Sequence, residues 1–379
     1  MQSAWRFVLF LTIVLTVWTA MHAYVAWRMW PLISSAVGRR FLLGGFALAW
    51  ALYPLGRILA HQGWARTGKL VEAVGASWMG VLFLALACLF LADLVTGFGW
   101  LLPKAVPPLR IAALAAAGVF SAAALVQGLR PPAVREVEVR LAGLPLDLDG
   151  TVLVQISDLH LGSLLGRPWL EGRIAQIASL HPDIVAVTGD LVDGDASEVE
   201  RLLPTLQTLK APLGVWAVTG NHEFYAGLDR CVSLMEQAGY TVLRDRAQQV
   251  SPGLVLAGVD DLSGRRQFQI DGDPVGRALQ HLPEGAVVFL SHSPLEGEKA
   301  SALGAGLMLS GHTHAGQIWP FGYLVRLAYP RLEGRYSIGS MTLLVCRGTG
   351  TWGPPMRLFR PSEILRITLR CTEPQGDNL

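Results

Sequence analysis

The sequence predicts two kinds of structure in one chain: a four-helix transmembrane domain over residues 1–130 and a layered αβ domain over 131–379. Three observations carry that expectation. Long apolar runs are confined to the first third of the chain, short β-prone runs alternate with helical stretches after Pro131-Pro132, and five short polar blocks follow those runs in order.

Of the 379 residues, 51% are hydrophobic and 16% charged, too apolar a balance for an ordinary soluble enzyme. Residues 7–27, 41–60, 71–91 and 109–129 each form a mainly apolar run of about 20 residues, the length that crosses a ~30 Å hydrocarbon core. A cleavable signal peptide behind Arg6 accounts for the first run and leaves the others unexplained. Trp5, Trp18, Trp27, Trp30, Trp78 and Trp100 fall mostly near the run ends, where they are expected as interfacial anchors. Arg57 and Asp93 also lie near run ends, and there they are expected to snorkel to water.

Four spans place both termini on one side of the membrane. With the N-terminus inside, Arg6, Arg57, Arg66, Lys69, Arg130 and Arg135 are cytoplasmic, against Arg28, Arg39, Arg40, Lys104 and Arg110 outside, a slight lean toward a cytoplasmic second domain. Cys88, Cys231, Cys346 and Cys371 are scattered without zinc-like spacing or a disulfide framework, in keeping with a reducing compartment. The net charge of +2 gives no reason to expect nucleic acid as a partner.

Beyond the prolines, residues 134–141 alternate charged and apolar side chains with period two, the pattern of a half-buried strand. Residues 151–156, 184–188, 215–218, 255–259, 287–290, 307–309 and 342–345 read as buried strands. Helices are expected at 168–180, 198–210, 228–238 and 274–280. Each polar block then sits just after a strand, so its side chains collect at one edge of the sheets, where layered αβ folds commonly place their sites.

The blocks are Asp158-Leu159-His160, Gly189-Asp190, Gly220-Asn221-His222-Glu223, Ser291-His292 and Gly311-His312-Thr313-His314. Asp158 and His160 project on one side of an extended segment and can grip one cation. Asp190 has two carboxylate oxygens and is the natural bridge between cations ~3.5–4 Å apart. Carboxylate, amide oxygen and imidazole together suit manganese, with iron and zinc as alternatives, better than calcium or magnesium. Two divalent ions against two carboxylates leave net positive charge for a phosphate, and a bridging water with its pKa lowered toward neutrality is the expected nucleophile. His222, beside the ligand Asn221, is placed to protonate or stabilise the leaving group. The histidines outside the blocks, His22, His61, His181 and His281, are read as structural.

The ordered blocks resemble those of the calcineurin-like metallophosphoesterases over roughly residues 137–369. The resemblance implies a two-layer β-sandwich flanked by helices. It also implies one metal held by Asp158, His160, Asp190 and His314, and a second by Asp190, Asn221, His292 and His312. The stretches 155–160, 311–317, 347–350 and 361–363 are most similar to the membrane-associated bacterial branch, which suggests the inner membrane as the location. Glu223 stands where many relatives carry Asp. The family includes monoesterases, diesterases, nucleases and the pyrophosphatases of lipid A synthesis, so the resemblance implies a reaction type and leaves the substrate open.

The leading expectation is a membrane-bound dinuclear hydrolase of phosphate ester or pyrophosphate bonds in a lipid-linked or membrane-proximal substrate. One alternative is a tethered phosphatase or phosphodiesterase for soluble nucleotides or phosphoproteins. Another is a non-catalytic metal module of a membrane complex. Substrate and membrane-lipid contacts are expected along 318–327, through Trp319 and Phe321 with Arg326, and at Arg331 and Arg335.

Overall fold

The computed structural model of the chain describes residues 2–372; the side chains of Arg6 and His61 lie outside the described residues. Two compact units are present, Met1–Leu129 with Gly353–Leu358, and Arg130–Trp352 with Phe359–Leu379.

The first unit is built on four long helices, Gln2–Met29, Ala36–His61, Ala65–Val95 and Val106–Leu129. Ser35 caps the second by accepting the Gly38 N–H, as the free amides of a first turn require. The second and third helices approach until a Cβ at Gly56 or Gly75 would strike the other backbone, the small-residue packing that membrane helices favour. Among the described residues, three segments are long and apolar enough to cross a membrane: Ala36–Ala60, Arg66–Val95 and Pro103–Leu129. The expected run at 7–27 is helical but is not one of those three.

The snorkelling expected of Asp93 is overturned. Asp93 is 1% exposed and is held inside the unit by Arg28 at 2.5 Å, Arg110 at 3.3 Å and the Tyr24 hydroxyl at 2.5 Å. The run ends brought together by helix packing supply counter-charges locally, so the carboxylate has no need to reach water. Trp18 and Trp78 also depart from the anchor reading: Trp78 Nε1 donates to His22 Nε2, and the other nitrogen of that ring meets the Trp18 carbonyl. Arg57 pairs with buried Glu72 at 3.3 Å.

The second unit is a sandwich of two six-stranded sheets. Its strands are β1 (Ala133–Leu141), β2 (Val152–Ile156), β3 (Ile184–Thr188), β4 (Val215–Val218), β5 (Thr241–Val242), β6 (Arg246–Ser251), β7 (Gly253–Gly258), β8 (Gly285–Leu290), β9 (Leu307–Ser310), β10 (Gly334–Ile338), β11 (Met341–Val345) and β12 (Glu363–Cys371). One sheet runs β1-β12-β2-β3-β4-β5 and the other β10-β11-β9-β8-β7-β6. Between them lies a core to which both contribute, including Leu153, Ile184, Val218, Leu256, Val288 and Leu309. Helices Arg167–Ala178 and Leu228–Gln237 cover the outer face of the first sheet, through Leu170, Ile174, Ile177, Cys231 and Met235. Apolar faces on both sides explain why the central strands are continuous apolar runs.

The helix expected at 198–210 is two short ones, Ala196–Glu200 and Leu203–Leu206. Pro204 has no N–H to continue the ladder and instead opens the second piece.

Candidate metal centre

β2, β3, β4, β8 and β9 all deliver their C-terminal ends to the same edge of the sandwich, and each is followed at once by one polar block. The seven residues expected to hold metal come together there. Ring nitrogens and carboxylate oxygens of Asp158, His160 and His314 lie within 4.8 Å of one another, as do those of Asp190, His292 and His312. His160 Nε2 is 3.0 Å from His314 Nε2, and His314 Nε2 is 3.3 Å from Asp158 Oδ1. In the second cluster His292 Nε2 is 3.2 Å from Asp190 Oδ2, 3.2 Å from His312 Nδ1 and 3.3 Å from Asn221 Oδ1. Asp190 Oδ2 is also 3.8 Å from His160 Nε2, so one oxygen stands between the two clusters.

Tight turns produce this convergence. Asp158, His160, Asp190, His312 and His314 all have φ between 46° and 72°, the left-handed region that non-glycine residues rarely occupy. Such strain costs ~1–3 kcal/mol per residue and persists where surrounding structure enforces it. The preceding glycines make room: a Cβ on Gly220 would collide with the Asp190 carboxylate, and one on Gly311 with Ser157 and Asp158.

The donor set fits divalent cations. Buried carboxylate oxygens and imidazole nitrogens face common points, and the His292 Nδ1 hydrogen bond to the Thr188 carbonyl at 2.8 Å turns Nε2 toward the cluster. Burial pushes the Asp158 carboxyl up to about 6 and holds His160 and His312 down to about 4. Burial alone would raise Asp190 and lower His292, but their mutual attraction prevails and drives each in the opposite direction.

His222 sits beside this edge with its ring 4.6 Å from that of His160. Its backbone N–H donates to Asp190 Oδ1 at 2.9 Å, and its Nδ1 is 3.0 Å from Asp193 Oδ1. Burial disfavours its charge, yet Asp190 and the Asp193 hydrogen bond raise it to about 9.

Sequence reasoning assigned no role to three positioning groups. Asp193 orients His222, and its only signal is its place three residues after Asp190. Glu223 is fully buried and accepts the backbone N–H groups of Asp190 at 3.0 Å, Val192 at 3.0 Å and Gly220 at 2.6 Å, tying two ligand turns together. Asp261 accepts from the Ser293 N–H at 3.2 Å and caps the helix Leu262–Phe268 through the Gly264 N–H at 2.6 Å, fixing the turn that carries His292.

The residues expected to touch substrate are less gathered. Trp319 and Phe321 are 39% and 41% exposed, and Arg326 lies exposed on the short helix Gly322–Ala328. Arg331 is paired with Glu298, and Arg335 donates to the Glu138 carbonyl at 3.0 Å, so both guanidinium groups have partners of their own.

A family profile described as calcineurin-like phosphoesterase matches residues 151–316. The chain is 35% identical over 272 residues to a transmembrane protein with metallophosphoesterase domain from Danio rerio, covering 69% of this chain and 62% of that protein. It is 34% identical over 225 residues to an uncharacterized metallophosphoesterase of Aquifex aeolicus, covering 58% of this chain and 84% of that one. An uncharacterized metallophosphoesterase of Bacillus subtilis is 31% identical over 278 residues, with 67% of this chain and 95% of that one covered. The matched part of the chain spans about three fifths of the Danio rerio relative and of its Bos taurus counterpart.

Proposed function

This chain belongs to the calcineurin-like metallophosphoesterases, and from that premise we propose that it hydrolyses a phosphate ester or pyrophosphate bond in a lipid-linked or membrane-proximal substrate. The observation that carries the reading is the pair of donor clusters meeting at Asp190 Oδ2. Asp158, His160, Asp190 and His314 would hold one divalent ion, manganese by preference, and Asp190, Asn221, His292 and His312 a second. Such a pair supplies charge neutralisation at phosphorus and activation of water.

The chain's own groups do the rest. His222, held by Asp193, gives its proton to the departing oxygen. Glu223 and Asp261 keep the ligand turns from relaxing. The membrane enters through the three apolar helices and through the exposed Trp319, Phe321, Tyr323, Leu324 and Leu327, which with Arg326 suit contact with a headgroup layer. With Gln2–Met29 counted as a fourth span, the slight lean in loop charges supports a cytoplasmic unit at the inner membrane of a bacterium.

Full-length protein reconstituted with manganese and screened against lipid pyrophosphates, lipid phosphates and soluble phosphodiesters tests the reading. Turnover of the lipid substrates is expected. Turnover confined to soluble esters would make the helices a tether, and no turnover at all would favour a non-catalytic module. Alkaline phosphatase fused after Leu379 should be inactive in intact cells; an active fusion would put the unit on the other side.

A further inference from the structure

Two large aromatic rings flank His222 and are used by nothing described so far. Tyr225 lies one helical turn after Asn221 on the helix Asn221–Ala226, so its ring emerges on the same face as the ligand. It stands 5.4 Å from the His222 ring at 70°, and its hydroxyl donates to Gln267 Oε1 at 2.5 Å. Trp352 comes from a distant part of the chain and stands 6.0 Å from the same ring at 77°. The two are 51% and 53% exposed.

Single exposed aromatics are ordinary, but here the Tyr225 hydroxyl and the Trp352 backbone are each held in place. Gln317 donates through Nε2 to the Trp352 carbonyl at 2.9 Å and accepts the Trp352 N–H through Oε1 at 3.0 Å, a two-point clamp on one residue's backbone. That clamp runs from the turn carrying His312 and His314, so Trp352 is positioned from the metal centre itself. Phe268, 6.0 Å from Tyr225, backs the other ring. Rings held beside His222 would meet whatever is attached to the oxygen that it protonates.

We propose that Tyr225 and Trp352 form a recognition site for a planar aromatic group on the leaving side of the substrate, a nucleobase being the biological form of such a group. The proposal rests on the role of His222 given above. It deepens that reading by assigning the leaving group a π-face, which stacks on tyrosine and tryptophan irrespective of hydrogen-bonding pattern.

The test compares two esters of the same diester frame, one with a phenylethyl and one with a cyclohexylethyl leaving group, which match in size and leaving ability and differ in the π-face. With manganese-loaded full-length protein, kcat/KM should favour the phenyl ester. Trp352→Leu, which keeps apolar volume, should cost the phenyl ester about 10-fold more than the cyclohexyl ester, and Trp352→Phe should restore most of the preference. Equal losses on both esters, or no preference in the wild type, would overturn the proposal. Calorimetric binding of phenylethylphosphonate against cyclohexylethylphosphonate separates the two levels of argument. Selective binding of the aromatic phosphonate without turnover of any ester would remove the hydrolytic reading and keep the site, whereas turnover with indifferent binding would do the reverse.

Discussion

The two carboxylate oxygens of Asp190 do different work: Oδ1 accepts the His222 amide, while Oδ2 faces His160 on one side and His292 on the other. Asp190→Ala should therefore lose both metals at once, and elemental analysis showing stoichiometric metal retained would refute the shared-ligand assignment. On the proposed assignment, in which Asn221 is the ligand, His222→Ala should keep its metal and lose ~10²–10⁴-fold in turnover, the usual cost of removing a general acid. A variant within a few-fold of wild type would exclude that role. The ligand types were readable because each block follows a strand, and strand ends point side chains at a common edge. Glu223 was visible only as an unusual neighbour of His222; nothing in its local sequence announces that three backbone amides from two turns close on it.

Helices and strands with strong apolar runs were legible, and those set by tertiary pairing were not. β12 reads Glu363-Ile364-Leu365-Arg366 and was missed as a strand because its polar residues find partners: Glu363 accepts the Arg347 N–H at 2.9 Å. β6 and β10 are edge strands with polar, exposed faces, so they carry little hydrophobic signal. In the first unit the element ends were misread for a related reason, since Asp93, Arg28 and Arg110 look like independent interfacial charges until three helices meet. Asp93→Asn removes the carboxylate that pairs with two buried guanidinium groups. Breaking a buried pair in this way typically costs ~3–5 kcal/mol, which should appear as a lower unfolding midpoint in detergent; an unchanged midpoint would mean that water reaches the arginines.

For the whole molecule, the proposed centre would link metal to fold. The left-handed ligand residues and clustered ring nitrogens are tolerated more readily with cations between them. A ligand that binds only the native state adds about 4 kcal/mol at a thousandfold excess over its Kd. At roughly 2–4 °C per kcal/mol for a domain of this size, chelation should lower the second unit's melting temperature by on the order of 10 °C; an unmoved transition would show the centre to be stable without ions. The sheet order bears on biogenesis as well. β12 lies between β1 and β2, with Ala133 beside Glu363, so a late strand fills a gap between two made much earlier. Non-local pairing of this kind is slow and leaves open strand edges in the meantime. The apolar helices are available to engage a bilayer while that gap is still open, and Asp158, at the end of β2, waits on a strand the ribosome has yet to release. The edge that gathers the polar blocks is thus finished only once β12 has left the ribosome and taken its place between β1 and β2.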